Sequence, residues 1–460
     1  MEKENKPKFT ERLKNTRLVT KARDKWIELK AFFKDASKEV YCSMALMGLG
    51  QVLYKKIGLG IVYFLVEVAY LVFFFMFGIE NFSKMITLGT VEADAWLGIK
   101  GDDSVVCLLL GVVTLFITFA FIALYLGNIR NAYSLQQKVK ANKPLGTFKD
   151  DIKSIFNENF YKLALVVPLT GVAVFNVLPI VFMIFIAFTN YGGDIVPPKL
   201  VDWNGLGNFI KIFSLGGIQQ TLFKILGWNV LWAILATILA YLLGLGLSLL
   251  LNKKYVRGKT FWRFFPILAY AVPSFITLLG FKFMFSQGGP INDIIRDLGG
   301  ESIGFLDMDH TWSARFIGLA IQCWLHVPSL MLLITGMLSN INTDMYEAAE
   351  VEGASKFQIF KKITLPFIIF STTPTIITNF ISNFNNFGIF YLLRGTIISD
   401  GYFLASDTDL LINWLYNLSI KNNYFGLGAS VSLIIFLITS TISLIVYLKS
   451  PAYKQEDTFR

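Results

Sequence analysis

Charge is what this chain has least of. Only 16% of its 460 residues are Asp, Glu, Lys or Arg, and 54% are hydrophobic, a balance that excludes an ordinary soluble domain and a disordered chain alike. Cysteine is nearly absent. Cys42, Cys107 and Cys323 are odd in number, far apart and set among apolar residues, which argues against a disulfide framework or a zinc site and for small packed side chains. The two histidines, His310 and His326, suit neither a metalloprotease helix nor a catalytic triad. Gly258-Lys259-Thr260 ends like a phosphate-binding loop, but Lys253 stands where the leading glycine belongs. No catalytic residue, metal site or cofactor of the chain's own is therefore expected, and no nucleic-acid module is present. The first 40 residues carry twelve Lys or Arg against seven acids and lack the compact apolar core of a signal peptide. They read as a retained basic tail. Trp26, Leu29 and Phe33 fall on one helical face, suiting either a helix on the membrane surface or a solvated basic arm.

Long apolar runs are plentiful. Segments of roughly twenty residues, the length that crosses a hydrocarbon core, lie at about 57–78, 104–127, 163–188, 225–251, 264–285, 316–338, 366–390 and 426–448. The fold class expected is an all-α polytopic membrane protein of about eight transmembrane helices. The stretch 41–54 is shorter and reads as interfacial. With the N-terminus placed inside, the cytoplasmic segments hold 32 of the 42 Lys and Arg, the outer loops hold nine, and Lys282 falls within the fifth span. Every alternation then obeys the positive-inside rule, both termini are cytoplasmic, and the +10 net charge follows from orientation in the bilayer. Five parts result: a basic tail with an interfacial segment (1–56), two helices and a cytoplasmic loop (57–162), a third helix with an outer loop (163–224), a core (225–450) and a C-terminal tail (451–460).

Polar side chains recur at helical spacing inside three core spans. Asn379, Ser382, Asn383 and Asn386 follow an i, i+3, i+4, i+7 pattern, as do Gln322, Leu325, His326 and Ser329, while Tyr270 and Ser274 lie one turn apart beside Pro273. Such groups are costly in hydrocarbon unless they face a bundle interior or a wet cavity. They serve either as hydrogen-bonding glue between helices or as a translocation site. Amides and hydroxyls that donate and accept suit an uncharged polyhydroxyl substrate, with Trp324, Phe384 and Phe387 as apolar faces. No cluster of acids or arginines marks an ionic one. Glu67, in the first span, and His326 leave a proton-coupled secondary sugar transporter as the alternative. Glu67 reads more simply as a protonated or paired carboxylate against a neighbouring helix, and Lys282 can reach the interface.

Between the sixth and seventh spans lies a short polar insert. Thr343 to Glu350 are helix formers with acids in the first turn, and Phe357, Ile359, Phe360 and Ile363 return at helical spacing. Gly353 reads as the turn between two helices, and Pro366 as the opening of the next span. The pattern Glu347-Ala348-Ala349, Gly353, Ile363, Leu365-Pro366 resembles the coupling loop of membrane subunits of binding-protein-dependent ABC importers. That resemblance implies a MetI/MalF-like permease core whose cytoplasmic coupling helix sits in a cleft of a separate ATPase. Tyr270 to Phe275, Asn383 to Phe387 and Thr408 to Asn413 further resemble the larger membrane subunit of maltose and maltodextrin importers. It implies sugar contact from Tyr270, Ser274, Gln322, Leu325, His326, Ser329, Asn379, Ser382, Asn383 and Asn386. Gln322, His326, Ser329 and Ser382 depart from the residues usual in maltose relatives, which points to a related oligosaccharide. The partners implied are a second, homologous permease subunit, two ATPase subunits that bind ATP and Mg, an extracytoplasmic sugar-binding protein, and membrane lipid.

Overall fold

The computed structural model describes residues 30–449 apart from 95, 254 and 396. The expected helix through Trp26 and Leu29 and the tail 451–460 lie outside the described residues. Among these, every regular element is helical, and only three isolated bridge pairs are extended. The principal helices are α1 (Ile57–Thr87), α2 (Ser104–Lys140), α3 (Phe160–Ala187) and α4 (Gly216–Asn252). They continue as α5 (Lys259–Ala271), α6 (Ser274–Met284), α7 (Thr311–Ser339), α8 (Thr343–Val351), α9 (Leu365–Phe384), α10 (Gly388–Arg394) and α11 (Phe425–Lys449). Seven helices are long and apolar enough to cross a membrane, or eight if the bent pair α5–α6 is one span.

The fifth expected span, 264–285, is not one straight helix. α5 and α6 meet at 91°, because Pro273 forces Val272 out of the helical region into an extended conformation (φ −78°, ψ 129°). Tyr270 and Ser274 consequently lie on opposite sides of a break and do not form the one-turn pair that their spacing suggests.

The chain forms two compact units, one built on the sequence up to Phe182 with Pro197–Leu200, the other on Met183–Val196 and Val201 onward. In the first, the interfacial stretch folds into short helices, Lys38–Ala45 and Leu49–Leu53. They are pinned to α2 by Asn128, whose Oδ1 accepts from the Gly48 amide (3.1 Å) and Gln51 Nε2 (2.9 Å) and whose Nδ2 donates to the Ser43 carbonyl (2.9 Å). Gly48 sits at φ +87°, and a Cβ there would meet the Gly60 carbonyl oxygen at 2.0 Å, so both its conformation and its contact demand glycine. Glu67 Oε2 accepts from the Met47 amide at 2.8 Å, a partner on the segment between the two short helices.

In the second unit α7 is the central helix. Half of its most apolar window is buried, against 6% in α1 and α3. It packs closely on α4 at Gly244, where a Cβ would stand 2.8 Å from Leu330 Cβ. Small hydroxyls reinforce that approach: Ser248 and Thr335 share a hydrogen bond of 2.9 Å. Tyr241 and Thr372 join α4 to α9 in the same way at 2.8 Å. Towards the other end of α4, Trp228 and Trp232 pack with Ile317, Ile321 and Phe390 into a buried apolar layer.

Candidate functional site

The insert after α7 is the helix-turn-helix its sequence suggests. Asn342 caps α8 by accepting from the Asp344 amide (3.0 Å). Gly353 turns the chain at φ +77°, and Ser355 and Gln358 form a capping box for Lys356–Ile359. The outcome differs at Pro366. Helix runs without interruption from Lys356 through a π-turn, Phe360–Thr364, into α9, so Pro366 lies inside a continuous helix. A π-turn shifts the hydrogen-bond register, which lets the missing proline N–H fall where a donor is not needed.

The knob is mostly uncovered. Val351, Phe357 and Met345 are 89%, 69% and 52% exposed, and Glu347, Ala348 and Gly353 are exposed beside them, with Ala349 half-buried. Ile363 and Leu365 are half-buried, and Pro366 is exposed. Tyr346 Oη and Thr364 Oγ1, 3.1 Å apart, tie α8 to the helix that follows. A cavity of about 600 Å³ beside the knob is lined by Glu347 and Glu350, by Asn252 and Lys253 at the end of α4, and by apolar side chains such as Leu338 and Phe360.

Three of the ten candidate sugar-contact residues meet in one hydrogen-bonded chain. Gln322 Nε2 donates to Asn383 Oδ1 at 2.6 Å, Asn383 Nδ2 donates to Thr237 Oγ1 at 2.9 Å, and Asn386 Nδ2 donates to Gln322 Oε1 at 3.4 Å. Gln322 and Asn383 are 1% and 2% exposed, so their amides find in each other the partners that burial requires. In this conformation the two stripes bind α4, α7 and α9 together. Asn386 stands beyond the end of α9, which stops at Phe384, and its Oδ1 accepts from the Ile389 amide (3.2 Å) in the first turn of α10.

The remaining seven are not gathered into one cavity. Tyr270, Ser274 and Ser382 are exposed, while Leu325, His326, Ser329 and Asn379 are half-buried. Ser329 Oγ donates to the His326 carbonyl of its own helix (2.9 Å). A cavity of about 630 Å³ between α4, α5 and α7 is lined by Trp324, Cys323 and Val327 with leucines of α4, and by none of the ten.

Sequence reasoning gave no role to the polar cluster at the end of α7 remote from the knob. Arg394 closes α10 and is buried. It pairs with Asp407 (2.7 Å), and donates to the carbonyls of Leu306 (3.1 Å) and Asp307 (3.0 Å) and to Thr408 Oγ1 (3.0 Å). Burial alone would raise the Asp407 carboxyl, but hydrogen bonds from Thr311 and Arg394 outweigh it and hold the pKa below the usual value. Its neighbour Asp409 goes the other way. Burial pushes it up to about 7, against the Ser406 amide, which donates to its Oδ2 at 2.9 Å. An arginine closing an apolar run and the acid-rich Ser406-Asp407-Thr408-Asp409 were the available signals, and only tertiary contact joins them.

The family model described as "binding-protein-dependent transport system inner membrane component" matches residues 240–454. The maltodextrin transport system permease protein MalC of Streptococcus pneumoniae is 32% identical over 421 residues, 89% of this chain and 95% of that one. The galactooligosaccharides transport system permease protein GanP of Bacillus subtilis is 34% identical over 416 residues, 89% and 96% of the two chains. Among solved structures, a bacterial ABC transporter involved in the import of the acidic polysaccharide alginate is similar over 64% of this chain and 96% of its own, with a TM-score of 0.52 at 18% identity, a likeness of fold. The chain therefore belongs to the family of inner-membrane components of binding-protein-dependent ABC transport systems.

Proposed function

We propose that this chain is the permease subunit of an ATP-driven importer that carries an oligosaccharide of maltodextrin-like class across a bacterial cytoplasmic membrane by alternating access. The observation that carries this reading is mechanical. One unbroken helix from Lys356 to Phe384 bears the exposed knob at its start and Asn379, Ser382 and Asn383 towards its end. Along that helix Phe360 and Asn383 are separated by about 35 Å at 1.5 Å per residue. A push on the knob is thereby delivered as a movement of Asn383 against Gln322, without a flexible joint between them.

The motor lies on other chains. Two ATPase subunits, which bind ATP and Mg, receive the knob through its exposed Val351, Phe357 and Met345, with Glu347 as the candidate for an ion pair. An extracytoplasmic sugar-binding protein delivers the substrate at the opposite end, and both termini face the cytoplasm. A second permease subunit completes the pathway by covering Tyr270, Ser274 and Ser382, which this chain leaves open. The sugar class is supported by the amide and hydroxyl chemistry of the stripes and by relatives named for maltodextrin and galactooligosaccharide transport.

The test is uptake of labelled maltohexaose by cells carrying Asn383→Leu or Gly353→Val. Parent uptake should stop on ATP depletion and be lost in both variants, with the polypeptide still in the membrane. Uptake that survives ATP depletion and collapses with the proton gradient would overturn the reading.

A further inference from the structure

At the end of α7 remote from the knob lies a cavity of about 550 Å³ lined by Asp309, His310, Trp312, Ser313, Arg315 and Tyr402, the lining being completed by Thr311 and Asp407, which are hydrogen-bonded to each other. Trp312 is 72% exposed. The Arg315 guanidinium lies 4.9 Å from its ring centroid and 4.1 Å from that of Trp228. Arg315 also donates to the Asp407 carbonyl, yet its Nε makes no hydrogen bond. The side-chain polar atoms of Asp309, His310, Trp312, Ser313 and Tyr402 make no hydrogen bond to any described residue. Two hydroxyls, an imidazole and a carboxylate thus converge on one opening without hydrogen-bond partners among the described residues, beside the rings of Trp312, against which Arg315 lies, and of Tyr402, whose centroid is 4.7 Å from Lys224 Nζ.

We propose that this pocket is a saccharide subsite at the mouth of the pathway, holding one end of an oligosaccharide before it reaches Gln322 and Asn383. The proposal rests on the oligosaccharide reading above and adds a second contact region to it. Sugar rings present C–H faces that stack on Trp312 and Tyr402, and hydroxyls that both donate and accept, matching the unpartnered groups. An interfacial anchor would need only the indole. It would not bring a tyrosine and an unengaged acid from two separate segments to the same opening.

Position supports a link to transport. Arg315 and Gln322 are seven residues apart on α7, on the same face and about 10 Å along the axis. Between them lies the layer of Trp228, Trp232 and Phe390, which separates the pocket from the buried amide chain. Arg315, stacked on Trp228, forms the roof of that layer. From Trp312 in the pocket to Gln322 is ten residues of α7, about 15 Å along the axis, more than the length of a disaccharide, whereas a longer chain bridges both regions once the layer parts. The pocket therefore favours longer substrates.

The experiment is uptake of labelled maltose and maltohexaose by cells in which the chromosomal copy carries Trp312→Ala, Trp312→Phe or Tyr402→Ala, the full transporter being otherwise intact. Trp312→Ala and Tyr402→Ala should raise the half-saturating concentration for maltohexaose by about tenfold, the scale of one lost aromatic contact, and that for maltose by less than twofold. Trp312→Phe, which keeps a ring, should remain near the parent. An unchanged ratio of the two sugars in both alanine variants overturns the proposal while leaving the transporter reading intact. Equal losses for both sugars, together with loss of ATPase stimulation by the sugar-free binding protein, identify a protein-docking surface and overturn it as well. Absence of maltohexaose uptake by the parent strikes the maltodextrin reading itself.

Discussion

Gln322 Nε2 donates to Asn383 Oδ1 at 2.6 Å, joining the centre of α7 to the far end of the helix that begins in the knob. This one bond connects the most buried span to the only described helix shared by the knob and a polar stripe. Breaking it tests both. Gln322→Leu or Asn383→Leu should each lower stability by about 0.6–1.7 kcal/mol, the range found for hydrogen bonds between membrane helices. The double variant should lose less than the sum, because the surviving amide no longer has a missing partner. Thermal melts of the detergent-purified transporter would show the coupling, and strict additivity would mean the amides act independently.

Gly353 offers a cleaner probe of the knob. A Cβ built there meets nothing within 4 Å, so only its φ of +77° resists a side chain. Gly353→Ala should strain the turn by about 1–2 kcal/mol. The readout is the ratio of ATP hydrolysed to sugar taken up, expected to rise at least severalfold. Gly353→Asn, which tolerates the left-handed region, should stay close to the parent.

Asp409 predicts a pH dependence. Its folded pKa of about 7 lies above the ordinary 3.8, so the folded state holds a proton that the unfolded chain has released. Stability should fall as pH rises from about 4 to 7 and level off above. Asp409→Asn keeps an oxygen to accept from Ser406 and Asn417 and removes the charge. Its melting temperature should exceed the parent's at pH 8 by the widest margin and come closest to it near pH 4. An identical gap at both values would assign the effect to packing.

Glu67 separates the two energy sources considered for transport. Its Oε2 accepts from the Met47 amide, a bond that a glutamine carbonyl can replace. Glu67→Gln should leave ATP-dependent uptake within twofold of the parent, whereas Glu67→Leu should loosen the Lys38–Leu53 hairpin and lower stability by about 1–3 kcal/mol. Loss of uptake in Glu67→Gln would instead implicate its proton.

The knob was legible because each of its features is local. The acids of α8, Gly353, and the apolar spacing of Phe357 to Ile363 act within a turn or two of themselves. The span count was legible for a similar reason, since length and hydropathy are properties of a segment. Where a neighbour in sequence altered the geometry, as Pro273 does to Val272, the count survived but the Tyr270–Ser274 face did not. The asparagine stripe lay between these cases. Its helical spacing marked Asn383 as inward-facing, but periodicity has no means of showing that Asn386 lies past the end of α9 and accepts from the first turn of α10.

What the amino-acid order determined by itself was the number of apolar segments and the shape of the polar insert, both set by interactions over a few residues. Tertiary structure alone decided which polar groups meet. Asn383 finds Thr237 across 146 positions and Gln322 across 61, and Arg394 finds Leu306 across 88. Such pairs form because a polar group inside an apolar bundle must take whatever partner the packing of the helices brings within reach. That packing is a property of the whole unit.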